Sequence, residues 1–147
     1  MSRKIPHLAG LVLSAAALAA LAQMPSIELV ARFHRIEAEV AADQSTRMRG
    51  LMHRERMAPN HGMLFVFPQA ARHCMWMRNT LLPLSVAFLD DEGKILNIED
   101  MAPRTEDNHC AGGPARFALE MNRGWFAEKG IRPGQRIGGL ENSPRPR

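Results

Sequence analysis

The densest group of chemically reactive side chains is the run from His73 to Met77. If this run is a strand, His73, Met75 and Met77 share one face. Cys74 and Trp76 then share the other. Two thioethers and an imidazole on one face could bind Cu(I), because soft ligands suit that ion. We favour core packing, since methionine fills irregular gaps and this is the spacing of any inward strand face. Soft-metal binding is kept as an alternative function.

The only two cysteines, Cys74 and Cys110, are predicted to form one disulfide if the chain is exported. A Cys₂His₂ metal site with the adjacent His73 and His109 is the weaker alternative, because neighbouring strand residues point in opposite directions. A cysteine nucleophile activated by either histidine is a third interpretation. A disulfide would exclude it, because a bonded sulfur cannot attack a substrate.

An aromatic ring, a cation, an amide and a hydroxyl lie within five residues: Trp76, Arg78, Asn79 and Thr80. This mixture suits a polar ligand such as a sugar or a small acid, and these four residues are the candidate ligand-binding site. The competing interpretation is structural, because Asn79 and Thr80 are also common at strand ends, where they satisfy the backbone. A buried Arg78 would need a carboxylate partner such as Asp90 or Glu120.

No catalytic residue is assigned. The chain contains no phosphate loop, nucleophile elbow, H-E-x-x-H or C-x-x-C motif, and no cofactor is predicted. Acid pairs such as Asp90-Asp91 are sequence neighbours, and neighbours do not act as a general acid and base unless the fold turns them across a cleft. We therefore lean against an enzyme and keep an enzyme of unknown chemistry as a second alternative.

Several elements must position these residues. Alternation of apolar and polar residues predicts strands over Ile36–Val40 and Ala115–Met121, and the apolar run Met63–Phe67 predicts a buried strand. The clearest hairpin spans Leu84–Ile98, and a last short strand is expected at Arg136–Gly138. We predict a mainly β fold, a compact antiparallel sandwich or barrel of about seven to eight short strands with one or two short helices.

Two helices are expected. Asp43 is a good N-cap for the first, in which Met48, Leu51 and Met52 would share one face and Gly50 would pack closely against a neighbour. The second, predicted over Trp125–Lys129, is followed by Gly130.

The N-terminus has the order of a secretory signal peptide: basic residues, a short apolar run from Leu8 to Ala22, and Ala20-Leu21-Ala22 as a cleavage site. A membrane-spanning helix would need about 20 apolar residues, so cleavage is favoured over retention as an anchor. We predict a signal peptide at 1–22, a single β-rich domain at 23–140 and a disordered basic tail at 141–147. The mature protein is expected to be periplasmic or secreted, and a monomer without a membrane span.

Charge excludes one class of partner. Without Arg3 and Lys4 the formal net charge falls from +4 to +2, and the remaining basic residues are scattered with no aromatic stripe beside them. Nucleic acid is therefore not expected as a partner.

Blocks along the chain resemble a known family. They begin with Arg49–Arg54, Gly62–Phe67 and Trp76–Thr80, followed by Pro83-Leu84 and Phe88–Asp90. They continue through Gly93–Ile95, Met101–Pro103, Ala115–Phe117, Gly124-Trp125 and Gly130-Ile131. In this order they resemble the prokaryotic family called domain of unknown function 192, in one register from about Ile36 to Ile137.

The resemblance implies a compact β-rich domain and transfers no activity, substrate or catalytic residue. This chain has Ser85 where many members have an aspartate after Pro-Leu. Our expectation is a non-enzymatic binding or accessory module for a small polar ligand or an envelope protein.

Overall fold

The structure is a computed structural model that describes residues 23–147. The predicted signal peptide at 1–22 lies outside these residues. The described chain forms nine strands: β1 (Ser26–Ala31), β2 (His34–Ala41), β3 (His61–Ala71), β4 (Cys74–Met75), β5 (Leu84–Leu89), β6 (Ile95–Met101), β7 (His109–Cys110), β8 (Ala115–Asn122) and β9 (Ile137–Gly138). The α-helices are α1 (Gln44–Arg49) and α2 (Trp125–Glu128), and a 3₁₀ turn covers Leu140–Asn142. No helix within 23–147 has the length and hydrophobicity needed to cross a bilayer.

Seven strands form one curled sheet in the order β6-β5-β8-β3-β2-β1-β9, and β4 pairs with β7 in a separate two-stranded sheet. The predicted mainly β class is confirmed. One neighbouring pair, β2 and β3, is parallel, whereas the others are antiparallel. A parallel pair needs a crossover connection. Residues 42–60, which include α1, provide it and lie near one face of the sheet.

The sheet has a buried hydrophobic cluster on each face. Strand β8 shows why: Leu119 and Met121 belong to the first cluster, and Ala118 belongs to the second. The first cluster also contains residues from α2 and the chain after it. The second contains Leu51 from the crossover and Met77 from the segment after β4. Both faces of the sheet are therefore covered, and β8 lies between β3 and β5 in its interior.

Helix α1 begins as predicted and ends earlier. The Asp43 side chain accepts a hydrogen bond from the Thr46 backbone N–H at 2.9 Å, and this bond, together with one from the Ser45 hydroxyl, lowers the pKa of Asp43 to about 2. The prediction that Gly50 lies inside the helix is wrong, because Gly50 follows it with a φ of 50°. Close packing of Gly50 is confirmed: a Cβ there would lie 3.2 Å from Phe65 Cζ.

The common helical face predicted for Met48, Leu51 and Met52 is also wrong. The helix stops at Arg49, so Leu51 reaches the core from a turn, and the Met48 side chain is 61% exposed.

The hairpin of β5 and β6 is confirmed, with its turn at Asp90–Lys94. The Asp90 carboxylate accepts hydrogen bonds from the backbone N–H groups of Glu92 and Lys94, both at 2.9 Å. The basic tail carries no regular structure after the 3₁₀ turn, and the N–H of Arg147 donates to the Ala42 carbonyl at 2.7 Å. The predicted limits of the domain and the tail stay predictions.

Candidate functional site

A cavity of about 30 Å³ lies between the segment 47–52 and the segment 75–80, and we call it the Glu120 cavity. Residues from α1, the turn after it, β3, β8 and the 75–80 segment border it. Trp76 and Thr80, two of the four predicted ligand-binding residues, are among them.

Glu120 projects from β8 toward this cavity and is only 4% exposed. Its strand neighbours in register are Met63 on β3 and Val86 on β5, which are both uncharged. Within residues 23–147 the carboxyl has no hydrogen-bond partner that would lower its pKa, and burial raises the pKa to about 8. Burial disfavours the charged form, so the carboxyl is mainly protonated at neutral pH. It is thus a neutral acid facing the cavity.

The 47–52 segment is anchored at both ends by arginines. Arg47 Nη1 donates to the carbonyls of Ala42, at 2.6 Å, and Val66, at 3.1 Å. Arg54 makes a two-pronged contact with Glu39, and its Nη1 is 2.8 Å from Glu39 Oε1. The hydrogen bond from Arg54 lowers the pKa of Glu39. These bonds hold the segment against β2 and β3 and fix one wall of the cavity.

The opposite wall is fixed by the disulfide and by backbone hydrogen bonds. Cys74 and Cys110 are joined, as predicted, and face each other in the β4–β7 pair. The Met77 N–H donates to the Thr105 carbonyl at 3.0 Å. The run His73–Met77, considered as a strand from the sequence, is only in part a strand, because only Cys74–Met75 pairs and the chain then turns.

Among the four predicted ligand-binding residues, Trp76 and Arg78 form the exposed pair. The Trp76 side chain is 37% exposed, and the Arg78 guanidinium lies 5.4 Å from the centre of its ring. Arg78 reaches solvent, and its Nε lies 3.6 Å from Glu106. Its carboxylate neighbour is thus Glu106, whereas Asp90 and Glu120 were the partners considered from the sequence.

Thr80 borders the cavity, and Asn79 lies next to it in the chain without bordering the cavity. Asn79 has a φ of 53°, a conformation that asparagine tolerates better than most residues. Its carbonyl accepts a hydrogen bond from the His53 N–H at 2.9 Å, and this bond links the two walls. Thr80 is buried, and its hydroxyl donates to the Arg78 carbonyl at 3.2 Å. The hydroxyl oxygen keeps accepting capacity toward the cavity it borders.

The three candidate metal ligands lie in different surroundings. Met77 is fully buried in the second cluster, and Met75 is half-buried at the cavity. The His73 ring stacks on Phe67, with ring centres 3.8 Å apart, and its Nε2 donates to the Gln69 carbonyl at 2.8 Å. No cluster of three or more His, Cys, Asp or Glu side chains is placed to bind a metal within residues 23–147. The disulfide occupies both sulfurs that a Cys₂His₂ site or a cysteine nucleophile would need.

Ser85 has a structural role on the other face of the sheet. Its hydroxyl donates to Asp100 Oδ1 at 2.6 Å and accepts a hydrogen bond from the Gly124 N–H at 2.9 Å. It therefore links β5, β6 and the start of α2.

The fold and the Glu120 cavity define a small β-rich protein with a buried neutral acid in a narrow cleft. The chain belongs to the DUF192 family, described as uncharacterized ACR, which matches residues 27–139. The predicted family membership is confirmed. The family blocks Arg49–Arg54 and Trp76–Thr80 supply residues to opposite walls of the cavity.

Two crystal structures resemble the chain. One, described as a candidate transcription regulator from Sinorhizobium meliloti 1021, is 38% identical, with a TM-score of 0.73, and covers 78% of this chain and 92% of that one. The other, a protein of unknown function from Novosphingobium aromaticivorans DSM 12444, is 29% identical, with a TM-score of 0.71, and covers 78% of this chain and 84% of that one. The search of curated proteins found no match.

Sequence reasoning missed Glu120 as a site residue. It considered Glu120 only as a partner for Arg78 and placed it on the polar side of an alternating strand. The available signal was the strand itself, since an acid near the middle of an otherwise apolar segment needs either solvent or a specific environment.

Proposed function

We propose that this protein is an exported, non-enzymatic binding module, and that a polar group of a small ligand or an envelope protein enters the Glu120 cavity. The observation that carries the proposal is a carboxyl group that is 4% exposed and has no hydrogen-bond partner within residues 23–147 that would lower its pKa. The carboxyl borders a cavity, and a ligand group that enters the cavity can hydrogen-bond to it.

The composition of the cavity supports binding over catalysis. Acid–base catalysis commonly pairs a proton donor with a second titratable group in reach of the substrate. Here the other charged side chains that border the cavity are Arg47 and Arg49. Arginine stays protonated in proteins and is a poor proton shuttle, but it binds anions well. The pKa of Glu120 would suit a general acid, and the experiment below therefore includes a test for turnover.

Soft-metal binding is the second candidate, because three thioethers border the same cavity. They belong to Met48, Met52 and Met75. Thioethers suit Cu(I), but two arginines at the cavity oppose any cation. We rank this candidate below binding of a polar organic group.

The regulatory description of the Sinorhizobium protein is not part of the proposal. Helices α1 and α2 have six and four residues, so neither provides a helix of the length that reads a DNA groove. Arg47, on α1, already donates to backbone carbonyls.

The test is native mass spectrometry of protein purified from the periplasm of the producing cell. We expect wild-type protein to carry a small molecule that denaturation releases, and the Glu120→Leu variant to lack it. Glu128→Leu, at an exposed acid on α2, is the matched control and should retain it. An equal load in Glu120→Leu, or chemical conversion of the released molecule by the protein, would contradict the proposal. The absence of any load, in a protein that also responds to none of the ligand probes described below, would contradict it as well.

A further inference from the structure

The size of the Glu120 cavity limits what can enter it. A water molecule needs about 10–15 Å³ measured in this way, so the 30 Å³ cavity has room for about two groups of that size. The two oxygens of a carboxylate fit this space. A phosphate or sulfate, with four oxygens, would not fit wholly inside this space, and neither would a sugar ring.

The charges around the cavity favour an anion. Glu120 is neutral at pH 7, and Met63 and Val86, which flank it on β3 and β5, carry no charge. The charged side chains contributed by α1 are Arg47 and Arg49, which are both positive. Arg78 does not border the cavity, but it adds a third cation beside Trp76, offset by Glu106. A cationic ligand would meet repulsion from α1.

The hydrogen-bonding groups also suit an anion. A protonated carboxyl donates a hydrogen bond, and such a bond to an ionised oxygen is short and strong. Arg47 is held by backbone carbonyls, whereas Arg49 is exposed on the segment that forms the mouth. The apolar surfaces of Trp76 and Met48 lie farther out. They offer a place for the hydrocarbon part of a ligand.

Resting on the proposed binding function, we propose that the Glu120 cavity binds the carboxylate of a small monocarboxylic acid, whose apolar body lies against Trp76. Protonated Glu120 donates a hydrogen bond to one carboxylate oxygen, and Arg49 provides a positive charge at the mouth. Proton loss from Glu120 removes the donor and adds a negative charge. Affinity for the carboxylate therefore falls as the pH rises above about 8.

The test compares hexanoate, hexanamide and hexylammonium, with inorganic phosphate as a fourth probe. The indole N–H signal of Trp76 is followed by NMR from pH 6 to pH 9. Trp125 is buried in the first cluster, on the other face of the sheet, and is the internal control. We expect hexanoate to shift the Trp76 signal saturably, with an affinity at least about tenfold above the other three probes at pH 7.

Variants locate the interaction. Glu120→Gln keeps a neutral hydrogen-bond donor, so it should still bind hexanoate and should lose the decline in affinity above pH 8. Arg49→Gln should weaken binding of hexanoate about tenfold, since it removes one charge-assisted contact. Arg132→Gln, an exposed arginine beside α2, should leave the affinity unchanged.

Other outcomes separate this inference from the proposed function. Preference for hexylammonium, with affinity rising above pH 8, would overturn the carboxylate inference and leave a binding module. Preference for phosphate would also overturn the carboxylate inference and leave a binding module. The same conclusion would hold if no probe shifts the Trp76 signal while the native protein carries a different molecule in mass spectrometry. If no probe shifts Trp76 and the native protein carries nothing, both proposals fail.

Discussion

Replacing Glu120 with glutamine should stabilise the protein at alkaline pH and change its stability little at pH 4. Glutamine has nearly the size of protonated glutamic acid and cannot ionise. Wild type and Glu120→Gln therefore differ mainly in one respect: in wild type the side chain at position 120 must be protonated in the folded state. In wild-type protein, burial raises the pKa of Glu120 from 4.5 to about 8. In the unfolded chain the carboxyl titrates near its ordinary value.

The direction in which stability changes with pH follows from the number of protons bound by the folded and unfolded states. Between pH 4.5 and pH 8 the folded state holds a proton on Glu120 and the unfolded state has lost it, so raising the pH favours unfolding. The free energy of unfolding falls by about 1.4 kcal/mol per pH unit across this interval, or about 5 kcal/mol in all. Most domains are stable by only about 5–15 kcal/mol, so the effect is large.

The assay is urea unfolding followed by tryptophan fluorescence, at each pH unit from 4 to 9, with the disulfide intact. The difference in unfolding free energy between Glu120→Gln and wild type should be small at pH 4 and should level off near pH 8. Glu128→Gln, which removes an exposed carboxyl, should show no such rise. A difference that stays flat with pH, or a Glu120→Gln variant less stable than wild type at pH 9, would refute the argument that Glu120 is buried and neutral.

Four further results are expected. Replacing both Cys74 and Cys110 with alanine should lower the free energy of unfolding by about 4 kcal/mol, from lost loop closure, and free thiols in folded wild-type protein would contradict the disulfide. Asn79→Gly should melt close to wild type, whereas Asn79→Ala should cost about 1–2 kcal/mol, because alanine disfavours a positive φ; equal melting would show that this conformation does not matter. N-terminal sequencing of protein from the producing cell should begin at Gln23, and an intact Met1 would contradict export. Titration with Cu(I) against a competing chelator should show no binding tighter than micromolar, and tight binding abolished by Met75→Leu would favour the soft-metal candidate.

Local patterns predicted those elements whose determinants lie within a few residues. The β5–β6 hairpin was recognisable from two apolar runs that flank the turn Asp90–Lys94. In this turn the Asp90 side chain accepts hydrogen bonds from nearby backbone N–H groups. The N-cap Asp43 was equally local. The disulfide was predictable for a different reason, because the described chain has just two cysteines and so one way to join them.

Errors arose where tertiary contacts decide the backbone. Helix α1 ends before Gly50 because the chain turns there with a positive φ, which brings Gly50 into close contact with the Phe65 ring on β3. The strand around Cys74 is short because its partner β7 has only two residues, and Met77 then bonds to the backbone of Thr105. Phe65 is distant in sequence from the end of α1, and β7 and Thr105 are distant from β4.

Glu120 was missed for the same reason. Period-two alternation in β8 was interpreted as one buried and one solvated face, and on that assumption an acid at position 120 needs no explanation. The assumption fails because β8 is an interior strand and the segments 42–60 and 72–83 cover its second face. These segments carry two of the family blocks, Arg49–Arg54 and Trp76–Thr80, and both border the cavity that Glu120 faces. A leucine at position 120 would pack on that face without the cost of burying an ionisable group. Under the proposed function, a ligand group that enters the cavity and hydrogen-bonds to Glu120 accounts for an acid at this position.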